Sequence, residues 1–429
     1  LAEGSAAFNK NVTGYGSLVP DDILDLPQGF SYKIISTFGD KMNDGYLVPN
    51  KADGMGCFAL EGSKVALIRN HEMALDNHDP EMSKMQKPLL EFAYDRSPAD
   101  EPLPGGTTTI IYDMATGQRV REYWSLIGTT RNCAGGITPW DSWLSCEESV
   151  FNKGEHGQLD HGWVFEVSAK ADKISKPAPL KALGRFNHEA ACVDPKTGIV
   201  YLTEDRPNSL FYRFIPNKYG ELAKGGKLQA LGIKGQDKGF DSRNWVENSF
   251  EQGSWRHAKW IDINDIESPN DDLRIQGYNK GATIFARGEG IYWGDNELYF
   301  CCTTGGVKNL GQIMRYQPSP AEGTPQENNI PGKLQLFFES VDPDTFGLGD
   351  NLTVAPNGHL IVCEDHYDGT TNYIRGITPN GELYALAKLK IASETAGACF
   401  SPDGTILFIN IQSPTKTLAI TGPWDSFTI

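Results

Sequence analysis

Long apolar runs are missing from this 429-residue chain. No stretch approaches the roughly 18 apolar residues of a membrane-spanning helix, so no span is expected. Sustained helical periodicity is missing too, and PEMSKMQKPLLEFAYD (80–95) is the best helical candidate. The eight cysteines form no CxxC pair. Cys146, Cys301, Cys302 and Cys363 lie in apolar strand-like runs and read as small buried hydrophobes. No Ser or Thr sits in a nucleophile-elbow context. Positive charge is scarce: 39 Lys and Arg face 55 Asp and Glu, a net charge of -16. Such a surface repels nucleic acid and anionic membranes, and any anionic substrate unless the site itself carries cations. The opening LAEGSAAFNK has neither an initiator methionine nor a signal peptide, so a processed start is expected.

What is present suits many short strands joined by tight turns: 39% hydrophobic and 10% aromatic residues, 46 Gly and 25 Pro. One plan recurs in SKVALIRNHE (63–72), DSWLSCEES (141–149), PKTGIVYLTEDR (195–206), DNELYFCCTTGG (295–306), PNGHLIVCEDH (356–366) and SPDGTILFINIQ (401–412). Each reads as a Pro/Asp/Asn/Gly turn, a short β-branched or aromatic run, and a polar exit. GFSYKIIS, GGTTTIIYD, HGWVFEVS, SLFYRFIP, QIMRYQP and NYIRGITP read as partner strands. A propeller blade takes roughly 40 to 50 residues, so the longer intervals would carry insertions. The expected fold is an all-β, six-bladed β-propeller with inserted loops and short helices, over 29–429. Residues 1–28 would be an N-terminal extension packing on it. A pair of β-sandwiches is the alternative. The repeated polar exit argues against it, because inner propeller strands aim one end at a common axis.

On that axis the exits would gather carboxylates: Glu72, Glu147 and Glu148, Glu204 and Asp205, and Glu364 and Asp365. Glu189 in RFNHEA and Glu289 in ARGEG join them. Like charges that close repel strongly unless neutralised, and multivalent cations with hard oxygen ligands are the usual answer. The bland reading of each exit is an ion pair, since Arg69, Arg206 and Arg287 stand beside them. His71 and His188, both in Asn-His-Glu contexts, read more readily as satisfied structural histidines. Cys133, in a Gly-rich loop, is different: a thiolate among carboxylates suits iron or zinc rather than calcium. Of the adjacent pair Glu147 and Glu148, the second is expected to be the direct ligand.

The motifs NCAGGITPWDSWLSCEES, GRFNHEAACVDP, YLTEDRPNSLFYRF, ARGEGIYWGDNELYFCCTTGG, GQIMRY, LTVAPNGHLIVCED and AGACFSPDGTILFINIQ resemble the PhoX-type alkaline phosphatases. The resemblance runs from about 29–36 to 417–424. It implies a six-bladed propeller and a phosphomonoesterase carrying Ca²⁺ and an oxo-bridged pair of Fe³⁺ ions in a central channel. It also implies export by the twin-arginine route, hence a periplasmic or secreted protein. Carried over by motif, Cys133 would be an iron ligand. Glu72, Glu148, Glu189, Glu204, Asp205, Glu289 and Glu364 would be further metal ligands.

The expected substrate is a small phosphate monoester and the expected state a monomer. Arg287, Arg206 and Lys308 are candidates to hold phosphate oxygens, because a guanidinium fork matches that geometry. Their other reading is pairing with neighbouring carboxylates. Asn132 and Asn351 would orient water or donate to phosphate, or else cap turns. Two rival functions remain at this level: a calcium-dependent lactonase or esterase propeller, and a non-catalytic calcium-stabilised binding propeller. Neither requires Cys133.

Overall fold

The computed structural model describes residues 9–77 and 79–429. Short antiparallel strands dominate it. Helix is confined to brief segments such as Pro80–Gln86, capped by Asp79, whose side chain accepts from the amides of Glu81 and Met82. Among the described residues, no helix is long and apolar enough to cross a membrane.

The strands form radial sheets in a propeller-like arrangement. Ala52–Ala59, Lys64–His71, Gly105–Asp113 and Gln118–Thr129 pair in that order. Asn132–Ile137, Ser142–Glu147 and Val164–Ser168 make a three-stranded sheet. A nine-stranded sheet has His188–Val193 at one edge and Gly288–Trp293 at the other. In its middle, Trp255–Asp262 pairs on one side with Gly226–Ile233 and on the other with Lys333–Glu339. Gly349–Val354 begins a six-stranded sheet, whose outer edge is built from Leu24–Pro27 and Leu18–Val19. The last sheet joins Thr395–Phe400, Ile406–Ile411 and Lys416–Thr421 to Ser31–Thr37, so the two ends of the chain close it together. The stretch 9–28 therefore packs on sheet edges, and residues 1–8 of the expected extension lie outside the described residues.

Six edge strands form a closed ring. Ala52–Ala59 contacts Asn132–Ile137, and contact passes on to His188–Val193, Gly288–Trp293, Gly349–Val354 and Thr395–Phe400 before returning to Ala52–Ala59. These inner strands approach closely because small residues face one another. A Cβ on Gly54 would lie 2.5 Å from Ala134 Cα, and one on Gly290 would lie 2.7 Å from the Asp350 carbonyl oxygen. Apolar side chains fill the spaces between sheets, as where Phe211 stacks on Phe300 at 4.4 Å. Cys146, Cys301, Cys302 and Cys363 are buried in these layers as free thiols.

The six recurring runs are not the innermost strands. They are Lys64–His71, Ser142–Glu147, Val200–Glu204, Leu298–Cys302, Leu360–Glu364 and Ile406–Ile411, each second in its sheet. They were the visible ones because both their faces are buried, which demands a continuous apolar run.

Candidate metal centre

Every inner strand carries a register irregularity at its start. The pairing slips between Ala52 and Met55, Asn132 and Gly135, His188 and Ala191, Gly288 and Ile291, Gly349 and Leu352, and Ala396 and Cys399. Such a bulge leaves residues unpaired and re-aims their side chains. The first residue inside it is Asp53, Cys133, Glu189, Glu289, Asp350 and, in the last strand, Gly397. Five of the six bulges thus carry an acid or a cysteine, side chains that could hold a metal ion.

The second strands add an outer tier. The residues just past their ends include Glu72, Glu148, Asp205 and Asp365. With Glu394 these tiers make four overlapping groups whose ligand atoms lie within 4.8 Å of one another: Asp53, Glu72, Cys133; Cys133, Glu148, Glu189; Glu189, Glu289, Asp350; and Asp350, Asp365, Glu394. Cys133, Glu189 and Asp350 are each shared by two groups. Gln412 joins the ends, its Nε2 donating to Glu72 at 2.9 Å, to Asp53 at 3.2 Å and to Glu394. A cavity of about 230 Å³ opens over this ring.

Two arginines brace it. Arg131 pairs with Glu72 at 3.1 Å and Glu148 at 3.2 Å. Arg287 grips Asp205 with two bonds, of 2.7 and 3.0 Å, and reaches Glu289 at 2.7 Å. Burial, then the charges of Asp350 and Asp53, push the Glu189 carboxyl well above the usual carboxylate range. Burial with Glu72 does the same to Asp53, and burial with Glu189 the same to Glu148. Burial and Asp365 push Asp350 up to about 7. Burial and the carboxylates of Asp53 and Glu189 raise the Cys133 thiol far above its ordinary value. Arg287 acts unequally on its two partners. Asp205, held by the fork, stays below the usual range despite its burial, whereas Glu289 is raised by burial and by the three carboxylates of Asp205, Asp350 and Glu189, which its one bond to Arg287 does not offset. Glu189 Oε2 is buried and has no hydrogen-bond partner among the described residues.

The placement of the sequence candidates follows from strand alternation, which sends neighbouring side chains to opposite faces. Glu72, Cys133, Glu148, Glu189 and Glu289 fall in the groups, and Asp205 lines the cavity. Glu204 and Glu364 do not join them. The Glu204 carboxylate turns away to the Leu210 amide and the Tyr212 hydroxyl, both at 3.2 Å, and to Arg274. Glu364 is held by Arg375 at 2.9 Å and by the amides of Gly347 and Tyr373. Glu147 likewise turns from the ring to His161 at 2.7 Å and to the amides of Gly162 and Trp163. Arg206 pairs with Asp271 at 3.0 Å outside the cavity, and Lys308 is exposed. Asn132 is buried, accepting from the Thr129 hydroxyl and donating to Ser145. Asn351 accepts from the Ala398 amide and faces a mostly apolar cavity at the other end of the inner strands. Asp53, Asp350 and Glu394 were not among the candidates, because their strands are rich in small residues and read weakly as strands. The signal available was an acid or cysteine followed by a small residue or Asn, repeated in ADG, NCA, HEA, GEG and GDN.

The alkaline phosphatase PhoX family model matches residues 13–109 and 105–415. The chain belongs to this family. Membership of the PhoX family makes it a phosphatase. Its structure is similar to that of Pseudomonas fluorescens PhoX in complex with vanadate, a transition state analogue, with a TM-score of 0.70 and 18% identity over 98% of each chain. That likeness shows a shared fold. A gluconolactonase from Xanthomonas campestris aligns at 12% identity with a TM-score of 0.36, over 88% of this chain and 97% of the other. A Dyadobacter fermentans protein of unknown function aligns at 9% identity with a TM-score of 0.42, over 92% of this chain and 100% of the other. At those scores neither bears on the function. Comparison with curated proteins finds no match.

Proposed function

We propose that this chain hydrolyses phosphate monoesters at a multinuclear iron and calcium centre held by the acidic ring, at the mouth of a six-bladed propeller. The carrying observation is that Cys133 belongs to two adjacent donor groups at once. A thiolate shared by two donor groups would suit transition-metal ions such as Fe³⁺, which accept a thiolate ligand where Ca²⁺ does not. The two all-carboxylate groups, Glu189 with Glu289 and Asp350, and Asp350 with Asp365 and Glu394, suit Ca²⁺. The orphaned Glu189 oxygen and the crowded, raised carboxyls support the same reading, because multivalent charge relieves both. The six-blade count takes the nine-stranded sheet as two blades tied by Trp255–Asp262, which agrees with six inner strands in one ring.

Bound ions would supply Lewis-acid charge to the phosphoryl oxygens and lower the proton affinity of an attacking water. The chain's own side chains narrow the choice of nucleophile. No Ser, Thr or His is among the described residues lining the cavity. The one hydroxyl there, on Tyr367, accepts from Arg287 at 2.6 Å, and burial with Asp350 raises its pKa. With Cys133 and the carboxylates of the cavity given to the ions, water is the group left to attack. The Arg287 fork is occupied by Asp205 and Glu289, so it holds two carboxylates in place rather than gripping phosphate. The protein acts as a monomer on small phosphate monoesters, and export to the periplasm or medium follows the family resemblance.

Elemental analysis of protein purified without chelator, with p-nitrophenyl phosphate turnover on the same sample, tests this. Iron and calcium together, and turnover abolished by chelation, are expected. Calcium without iron in colourless protein that does not turn over phosphoesters would overturn it and favour the lactonase or binding-module alternatives.

A further inference from the structure

We propose that Lys51 is the cation that binds the phosphoryl dianion of the substrate, an inference that rests on the phosphomonoesterase reading above. The position is set by the repeat. Two residues before the bulge residues Asp53, Cys133, Glu289 and Asp350 stand Lys51, Arg131, Arg287 and Leu348, with φ of 56°, 47°, 53° and 50°. Side chains rarely occupy this left-handed region, and it tends to be tolerated where a site needs it. Three of the four are cationic, and all three line the cavity.

Arg131 and Arg287 are each engaged by two carboxylates. Lys51 is not. Its Nζ donates to Gln412 Oε1, a neutral acceptor, at 3.0 Å. Among the described residues it makes no ion pair. An ammonium has three donors, so two remain for an anion. Asp53, Glu72 and Glu394 instead accept from the Nε2 of the same glutamine. Lys51 also lines two neighbouring cavities that share walls with the central one, so it stands where solvent reaches the ring. A phosphate dianion approaching eight lining carboxylates meets this uncommitted positive charge at the border. An ammonium is a sound point-charge binder of phosphate.

The test compares metal-loaded wild type with Lys51→Gln and Lys51→Arg. The readouts are KM and kcat for p-nitrophenyl phosphate, the calorimetric dissociation constant of inorganic phosphate, and metal content. With Lys51→Gln, KM and the phosphate dissociation constant are each expected to rise about tenfold or more, the loss of one charge-assisted contact. Metal content stays at the wild-type level, and Lys51→Arg recovers most of the affinity. An unchanged phosphate dissociation constant in Lys51→Gln overturns the proposal while leaving the phosphatase reading intact. Loss of metal in Lys51→Gln also overturns it, since the residue would then be structural. Wild type that neither binds phosphate nor hydrolyses the ester sinks both.

Discussion

Arg131 Nε donates to Glu72 Oε1 at 3.1 Å, tying the start of one inner strand to the end of a second strand in the neighbouring sheet. The same guanidinium holds Glu148 at 3.2 Å. It therefore supplies, within the protein, part of the positive charge that the ring needs. In Arg131→Met those two carboxylates lose their shared counter-charge. Because Arg131 is 42% exposed, solvent screens much of the loss. We expect about 1 kcal/mol of destabilisation with metal bound, and a larger drop in the chelated protein. Urea unfolding with and without chelator checks it. Equal losses in both states would mean that Arg131 does not balance the ring.

Cys133 carries a different expectation from the carboxylates. Its thiol is shared by two donor groups, so Cys133→Ala removes a ligand from both. Iron content, visible absorption and turnover should fall together, while calcium persists at the all-carboxylate groups. Elemental analysis and an absorption spectrum on one sample decide the matter. Iron retained at the wild-type level would remove Cys133 from the site.

His161 gives a pH signature away from the ring. It is buried between Asp95, Nε2 to Oδ2 at 3.0 Å, and Glu147, Nδ1 to Oε1 at 2.7 Å. Burial opposes its charge, but Glu147 and Asp95 outweigh burial and raise it to about 9. The folded state thus holds a proton that the unfolded chain gives up near its ordinary value of about 6.5. The stabilisation is complete below about pH 6.5 and is lost as pH rises towards 9, in all on the order of 3 kcal/mol. Melting curves from pH 6 to 10 should show this decline in wild type and a flatter profile in His161→Gln. Parallel profiles would contradict it.

The strand plan and much of the ring were legible in the sequence for a physical reason. Second strands are buried on both faces, so they must be apolar and must end in polar residues. Alternation also explains the paired acids. In Glu147–Glu148 the second member faces the ring, and the same rule separates Glu204 from Asp205 and Glu364 from Asp365. Applied to all three pairs, it would have set Glu204 and Glu364 aside. The inner strands stayed hidden because ring closure requires small residues, which weakens every propensity signal. Asp53 and Asp350 lie in such stretches, ADGMGCFA and GDNLTV. Glu394 lies outside any strand and reaches the ring only through the fold.

Ring closure itself can be tested at Gly54. A methyl there would lie 2.5 Å from Ala134 Cα and 3.1 Å from the Cys133 carbonyl oxygen, closer than packed atoms tolerate. Backbone cannot rotate away as a side chain can, so Gly54→Ala must push the first two inner strands apart. Overpacking of this kind costs about 1–3 kcal/mol. The separation would act directly on Asp53 and Cys133, which flank the contact and share a donor group. We therefore expect Gly54→Ala to lower both the melting temperature and the iron content. Gly294→Ala is the control, since its methyl would meet nothing nearer than 3.6 Å, and its effect should stay within about 0.5 kcal/mol. A Gly54→Ala protein that melts normally but lacks iron would place the strain in the donor geometry alone. One that is destabilised yet fully iron-loaded would show that the ring holds its ligands independently of how closely these strands approach.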